Sequence, residues 1–258
     1  MKSSWWYSTW IIVASLAISL RTMVKTAVLV HSKRMTRAIA NVMTREWATR
    51  MLNVLHIQRI VVHHAMIDFI PGRAYMIMSN HSSLYDIPLI FESLPGSVRM
   101  LAKKELYKIP LFGFALETND FVSIDRHNRH QAHKDLQQAR KKMEEGIILW
   151  AAPEGTRSLT GALQPFKKGI FHLAMETEAI IIPVGIRGIH EVLPAKTLHF
   201  TPHQTVSVHI GAPIDSREMG DRVALMETVA KQISLLTELP LPSDNKHETT
   251  EIKSMASH

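Results

Sequence analysis

Three histidine–aspartate pairs in this sequence share one spacing, and each could supply a general base together with an orienting carboxylate. The pairs are His63 with Asp68, His81 with Asp86, and His130 with Asp135. In such a pair the carboxylate fixes the imidazole tautomer, which leaves the second ring nitrogen free to take a proton from a substrate hydroxyl. Spacing alone does not separate the three, so the elements around each pair have to be considered.

Two of the pairs lie in segments whose geometry keeps the side chains apart. The apolar run 59–70 is typical of a strand, and residues five apart on a strand point to opposite faces. The polar run 128–145 predicts a solvated helix that ends at Gly146, and five residues on a helix diverge by roughly 140° around the axis. We therefore expect neither His63 nor His130 to act with its aspartate.

The third pair follows a different kind of segment. Residues 74–79, AYMIMS, predict a buried strand that ends at Asn80, and LYDIPLIFESL then predicts a short helix. His81 would lie in the loop and Asp86 in the first helical turn, so the bend of the chain can bring the two side chains together. Open α/β sheets bind their ligands at this carboxyl end of the strands. A turn pair with only a structural role is the alternative.

A second polar motif follows another buried strand, about seventy residues further along. The strand IILWAA leads into PEGTRS, in which Gly155 permits a close backbone approach and Arg157 offers a planar fork suited to phosphate. Glu154 is placed to hold the arginine or the loop. An arginine in a loop is more often simply solvated, so this motif has meaning mainly in combination with the first.

The elements that must position these motifs alternate along the chain. From about residue 59, short apolar strands alternate with helices, which predicts an α/β fold with a mixed, largely parallel sheet flanked by helices. We predict three parts: N-terminal membrane-associated helices over 1–58, an α/β domain over 59–240, and a polar, disordered tail over 241–258.

The N-terminal part begins with an uncharged apolar run over residues 5–20, rich in Trp and Tyr at its start. A helix there is typical of a membrane segment with an interfacial aromatic belt, and reaching across the bilayer requires the extension through Arg21 and Lys25. Residues 46–62 predict a second, amphipathic helix. The cations that follow the apolar run place the rest on the cytoplasmic side. A cleaved signal peptide and a buried soluble helix are the alternatives.

The composition of the chain excludes several classes of site and argues against nucleic acid as a partner. The chain has 258 residues, a formal charge of +7 and no Cys, which excludes disulfides, thiolate catalysis and Cys-ligated metals. A basic chain favours an anionic partner, and the absence of basic–aromatic interleaving argues against nucleic acid. No compact set of His and carboxylate residues has metal-ligand spacing, so we predict neither a metal nor a cofactor.

Together the motifs resemble the glycerolipid acyltransferase family, most closely its lysophosphatidic acid acyltransferases. Asn80, His81 and Asp86 match the first family motif; the block 102–126 resembles the second and ends in Arg126; Glu154, Gly155, Thr156 and Arg157 match the third; and IIIPVGI around Pro183 matches the fourth. The motifs occur in the family's order over residues 75–188. Ala152 departs from the phenylalanine that is usual before Pro-Glu-Gly-Thr-Arg.

The resemblance implies transfer of an acyl group from acyl-CoA or acyl carrier protein to the sn-2 hydroxyl of lysophosphatidic acid. His81 is then the expected base and Asp86 its orienting partner. Arg157 is the first candidate for the substrate phosphate, followed by Arg126, Lys103 and Lys104, while Asn80, Glu154, Gly155 and Thr156 support the loops. The implied partners are a lysophospholipid, the acyl donor and membrane lipids.

Three other functions remain open at the level of sequence. The first is the same chemistry on another acceptor, such as a lyso-ornithine lipid. The second is a non-catalytic protein that binds membrane surfaces through its basic helices. The third, a nucleic-acid module, is the most distant and would show steeply salt-dependent binding.

Overall fold

The computed structural model describes residues 5–125 and 129–242. The helices are α1 Trp5–His31, α2 Arg37–Val54, α3 Asp86–Ser93, α4 Phe112–Thr118, α5 Arg129–Glu144, α6 Lys168–Glu176, α7 Ile189–Val192 and α8 Arg222–Thr237. The strands are β1 Gln58–His63, β2 Tyr75–Ser79, β3 Val98–Lys103, β4 Val122–Ile124, β5 Ile148–Ala151, β6 Ile180–Arg187, β7 Thr205–Ile210 and β8 Ile214–Asp215. Two 3₁₀ turns, Lys104–Lys108 and Ser216–Glu218, complete the described elements.

One sheet runs through the molecule in the order β1-β7-β6-β2-β5-β3-β4, with β8 paired to β6. The pairs that β6 forms with β7 and β8 are antiparallel, and the other pairs are parallel. The predicted mixed, largely parallel sheet is therefore confirmed. Because β2, β5, β3 and β4 are parallel neighbours, their carboxyl ends meet at one edge of the sheet, which is the edge expected to carry the site.

Helices cover both faces of the sheet, and the strand sequences follow from this. On β2, Tyr75 and Ile77 contribute to the core on the side of α1, α2 and α3, whereas Met76 and Met78 contribute to the core on the side of α5, α6 and α8. A strand that is buried on both faces needs apolar residues at every position. All five residues of β2 and all four of β5 are buried accordingly.

The first two helices pack along the same core. Ile11 of α1 and Leu52 of α2 are fully buried there, and the indole of Trp47 donates a hydrogen bond to the Ser19 hydroxyl at 3.1 Å. By length and composition α1 could cross a membrane, and only 11% of its most apolar window is buried. The boundary predicted at residue 58 stays a prediction, and most of the predicted tail lies outside the described residues.

Two predicted boundaries are wrong. The helix predicted over 46–62 begins at Arg37 and ends at Val54, and the strand predicted over 59–70 ends at His63. His56 takes a left-handed φ of 51°, which ends the helical path, and the chain then pairs with β7 from residue 58 onward. That pairing partner lies about 150 residues away in sequence, so the local apolar pattern carries no sign of it.

Candidate active site

The first motif forms a compact, hydrogen-bonded loop at the carboxyl end of β2. Oδ2 of Asp86 lies 2.7 Å from Nδ1 of His81, and the same oxygen accepts the backbone N–H groups of Ser82 and Ser83 at 2.8 and 2.9 Å. An ionised carboxylate only accepts, so the proton in the first contact belongs to Nδ1 and the lone pair to Nε2. The arrangement thus leaves Nε2 able to take a proton.

The Asp86 carboxylate is more deeply buried than the His81 ring that it contacts. Asp86 is fully buried, while the side chain of His81 is 17% exposed. Oδ1 of Asp86 is buried and accepts no hydrogen bond from any described residue, so its charge is balanced only through Oδ2. The His81 ring and the N–H groups of Ser82 and Ser83 are thus all held by one oxygen of a buried carboxylate.

Asn80 ties this loop to the neighbouring strand. Its side-chain amide donates to the carbonyl of Ile186 at 2.9 Å, and its amide oxygen accepts the N–H of Ile186 at 2.8 Å. Asn80 is 4% exposed. Its side chain thus makes the two hydrogen bonds to β6 that the backbone of β2 would make if the strand continued. Its role is to fix the start of the His81 loop against β6.

The second motif contacts the first through the backbone of His81. Oε1 of Glu154 accepts the His81 N–H at 2.8 Å, Oε2 accepts the N–H of Gln164 at 3.0 Å, and the Ser158 N–H donates to the His81 carbonyl at 2.7 Å. Both backbone groups of His81 are thus held by the loop that follows β5. The two motifs, more than seventy residues apart in sequence, form one structural unit.

Gly155 and Thr156 belong to the backbone of the loop that follows β5. Gly155 has a φ of 74°, a left-handed conformation that side chains disfavour, and a Cβ atom there would meet the Lys167 side chain at 2.8 Å. Thr156 is exposed. The loop also closes through the Lys167 N–H, which donates to the Pro153 carbonyl at 2.8 Å.

Arg157 sits between Thr156 and the Ser158 peptide that binds His81. It is half-buried, and among the described residues it has neither an ion pair nor a hydrogen bond. A guanidinium next to the imidazole loop without an internal carboxylate is available to an anionic ligand.

The remaining predicted cations differ in their surroundings. Lys103 is exposed at the end of β3, on the same edge of the sheet as His81. Lys104 forms an ion pair with Asp125, whose hydrogen bond raises the pKa of the lysine, so its charge is already matched within the protein. Arg126 lies outside the described residues.

Comparison with known proteins gives the family. The Acyltransferase family model matches residues 57–187, just over half of the chain. The chain belongs to the Acyltransferase family.

Two similar proteins carry names that agree. A 1-acyl-sn-glycerol-3-phosphate acyltransferase of Cocos nucifera is 38% identical over 57% of this chain and 47% of its own length. The human 1-acyl-sn-glycerol-3-phosphate acyltransferase alpha is 31% identical over 67% of this chain and 62% of its own length. The chain therefore spans less than two thirds of these relatives.

A solved structure shows the same fold. The 1-acyl-sn-glycerophosphate acyltransferase PlsC of Thermotoga maritima superposes with a TM-score of 0.66, covering 96% of this chain and 98% of its own at 23% identity. The N-terminal helices are included in that coverage. The predicted fold class and the predicted family resemblance are both confirmed.

Within this acyltransferase, the two rival histidine–aspartate pairs take other positions. His63 ends the exposed strand β1, and Asp68 lies in the following loop with its side chain exposed. Asp135 was expected on a solvated helix, but it is buried and accepts hydrogen bonds from the N–H of Asp125 and the side chain of Gln131. The side chain of His130 lies outside the described residues. Asp135 is structural because it closes the end of β4.

Residues that the sequence did not single out complete the site. The Trp150 ring stands edge-on to the His81 ring with centroids 6.1 Å apart, and its indole N–H binds the Ser79 hydroxyl at 3.0 Å. Ser158 contributes a buried hydroxyl without a partner among the described residues. Trp150 could have been found from its place at the end of a buried strand, directly before the second motif.

Glu154 provides a pH-dependent signature of the loop contact. Burial raises its pKa to about 7, although the two N–H donors lower it. The folded pKa therefore exceeds the unfolded value of about 4.3, so the stability from the neutral form is complete below pH 4 and is lost as the pH rises through 7. We expect the free energy of unfolding to fall by about 3 kcal/mol over that window from this group alone.

The Glu154→Gln variant should lose this pH dependence, since a neutral amide does not titrate. Denaturant unfolding at several pH values between 4 and 8 measures the difference between the two proteins. Glu176→Gln, which changes a more exposed glutamate on α6, is the matched control and should keep the wild-type slope. Parallel pH profiles for the wild type and Glu154→Gln would contradict the assignment.

Proposed function

We propose that this acyltransferase moves a fatty acyl group from acyl-CoA or acyl carrier protein to the sn-2 hydroxyl of lysophosphatidic acid, yielding phosphatidic acid. The observation that carries the proposal is the double contact of His81: its ring with Asp86, and its backbone with the loop that presents Arg157. An acid–base group and a phosphate-binding cation are thereby supplied by one structural unit. The names of the matched relatives support the same reaction.

In the proposed reaction, Nε2 of His81 takes the proton of the sn-2 hydroxyl as its oxygen attacks the thioester carbonyl carbon. The new carbon–oxygen bond gives a tetrahedral oxyanion, and Asp86 stabilises the imidazolium that accompanies it. Collapse of the intermediate breaks the carbon–sulfur bond, and the imidazolium returns its proton to the departing thiolate. The hydroxyl alone is a poor nucleophile at neutral pH, which is why the base is needed.

Arg157 is the proposed phosphate ligand, with Lys103, at the same edge of the sheet, as a further cation; Arg126 stays a candidate by the family motif alone. Lys104 is a weaker choice because Asp125 already neutralises it. A phosphate accepts bidentate hydrogen bonds from a guanidinium, and this geometry distinguishes lysophosphatidic acid from uncharged acceptors. A lyso-ornithine lipid has a carboxylate in place of the phosphate, so rates with both acceptors distinguish the two assignments.

The proposed location is a membrane surface on the cytoplasmic side. Trp6, Trp10, Val13 and Leu20 form an exposed apolar stripe on α1, while the opposite face of the helix packs on the domain. Along its second half α1 lies beside α2, where Lys25 pairs with Glu46 at 3.7 Å. A helix tied to a polar neighbour in this way fits a position in the interface better than a path across the hydrocarbon.

Replacing Arg157 with glutamine tests the acceptor assignment. We expect KM for lysophosphatidic acid to rise about 10–100-fold with a smaller change in kcat, because a charge-assisted bidentate contact made in the ground state is lost. Monoacylglycerol, which lacks the phosphate, should be acylated equally slowly by the wild type and the variant. An unchanged KM for lysophosphatidic acid, or vesicle binding without acyl transfer to any lysolipid, would contradict the proposal.

A further inference from the structure

A cavity lies between α2 and the segment that joins α3 to β3. It encloses about 470 Å³, a size usual for small-molecule sites. Its lining includes Asn41, Arg45 and Arg50 from α2, and Phe91, Val98 and Arg99 on the facing wall. None of these residues takes part in the proposed acyl transfer.

Arg99 in this lining is a buried cation without a carboxylate partner. It is 1% exposed, and its guanidinium donates to the carbonyls of Val98 and Asn119 and to the side-chain oxygen of Asn41. All three acceptors are neutral. Burial lowers the pKa of Arg99 to about 10, and a buried charge without a counterion is costly unless an anion is supplied.

Asp120 is the carboxylate whose charge acts on Arg99, and it already forms ion pairs with other cations. Asp120 binds Lys142 at 2.7 Å and Arg37 at 3.3 Å, so two cations share its charge, and Arg37 itself repels the guanidinium of Arg99. Asp120 therefore does not offset the buried charge in full.

The other two arginines add to the positive field of the cavity. Arg45 donates to the Leu94 carbonyl at 2.9 Å, and Arg50 makes no hydrogen bond or ion pair with any described residue. Glu46 is the carboxylate of the lining, and it is paired with Lys25 on α1. Three arginines thus belong to the lining of a cavity whose carboxylate already pairs with Lys25.

The cavity and the proposed active site are at opposite ends of the sheet. Val98 pairs with Ile148, and Ile148 pairs with Tyr75, at the amino ends of β3, β5 and β2. His81 follows the carboxyl end of β2, which ends at Ser79, so Val98 and Arg99 at the start of β3 lie at the other edge of the sheet. The Trp150 ring lies between the two, with its centroid 6.2 Å from that of Phe91 in the cavity wall and 6.1 Å from that of His81.

The surroundings of the cavity indicate the source of the anion. Val42 on its rim is 58% exposed, and Phe91 and Val98 give it apolar walls. Beside it, α1 also exposes Leu16 and Val24, which flank Leu20 of the apolar stripe on that helix. Cations above apolar walls, next to a lipid-facing helix, suit a ligand with a phosphate head and an apolar stem.

We propose that this cavity binds the phosphate group of an anionic phospholipid, held by Arg45, Arg50 and Arg99. The proposal rests on the proposed membrane location of α1 but not on the proposed acyl-transfer chemistry. A bound headgroup would supply the counterion that Arg99 lacks, and it would fix α2 and the attached α1 at the lipid surface.

The test is a titration of the full chain in neutral detergent, carried out in the Arg157→Gln background so that the proposed active site does not contribute phosphate binding. The probes are dihexanoyl phosphatidic acid, dihexanoyl phosphatidylcholine and inorganic phosphate, followed by calorimetry. The cavity variant is Arg45→Gln/Arg50→Gln, and the matched control is Lys33→Gln/Arg34→Gln, which removes two charges from the α1–α2 connection outside the cavity lining.

We expect phosphatidic acid to bind, and the cavity variant to lose at least about tenfold in affinity while the control keeps the parent value. Phosphatidylcholine and inorganic phosphate should bind more weakly. Equal affinity in the cavity and control variants would overturn the site, and equal affinity for inorganic phosphate would overturn the lipid assignment. If the double variant unfolds, Arg50→Gln is compared with Arg34→Gln, since Arg50 is exposed and makes no hydrogen bond or ion pair with any described residue.

Discussion

Replacing His81 with alanine is expected to lower kcat for acyl transfer to lysophosphatidic acid by about 10²–10⁴-fold, the usual contribution of a positioned general base. The ring is 17% exposed and its backbone contacts with Glu154 and Ser158 do not need the side chain, so the fold and KM should change little. Initial rates at saturating acceptor and donor measure the loss, with unfolding midpoints recorded on the same samples.

His63→Ala is the matched control for that experiment. His63 also precedes an aspartate by five residues, but it lies exposed at the end of β1 and its change should leave kcat as in the wild type. Wild-type rates for His81→Ala would remove the base from the proposed mechanism. A comparable loss in both variants would point to a general effect of histidine removal.

The second large effect is expected from Asp86→Asn. The amide oxygen can still accept the N–H groups of Ser82 and Ser83, so the loop keeps its path, but the negative charge that stabilises the imidazolium is gone. In the serine-protease triad, the worked example for such an exchange, kcat falls about 10⁴-fold, and we expect about 10³–10⁴-fold here. Single-turnover rates separate this loss from any change in binding.

Two further variants are compared with Asp86→Asn: Asp86→Ala, which also removes the hydrogen bonds, and Asp68→Asn, which is the control. The alanine variant leaves two N–H groups of the loop unpaired and should also lose about 2–5 kcal/mol of stability, because a buried network is broken. Asp68 is exposed and its exchange should change neither quantity. An Asp86→Asn protein with wild-type kcat would show that His81 works without its carboxylate.

The two errors at the boundaries of β1 share one physical origin. Residues 46–62 and 59–70 are apolar runs whose local pattern allows helix and strand alike, and the helix ends where His56 takes its left-handed conformation. The register of β1 is set by β7 far along the chain, from Gln58 opposite Thr205 to His63 opposite Ile210. Local propensity contains no information about such a partner.

The sequence by itself determined the α/β class, the place of each motif at the end of a buried strand, and the meeting of His81 with Asp86. The strands follow from their residue patterns, and the contact between His81 and Asp86 follows from the one turn that separates them. Both are local properties of the chain. Only the tertiary structure decided that β5 lies beside β2, and hence that Glu154 and Ser158 hold the backbone of His81. It also decided that Arg99 is buried without a carboxylate, because burial and ion pairing depend on residues that come together only when distant segments pack.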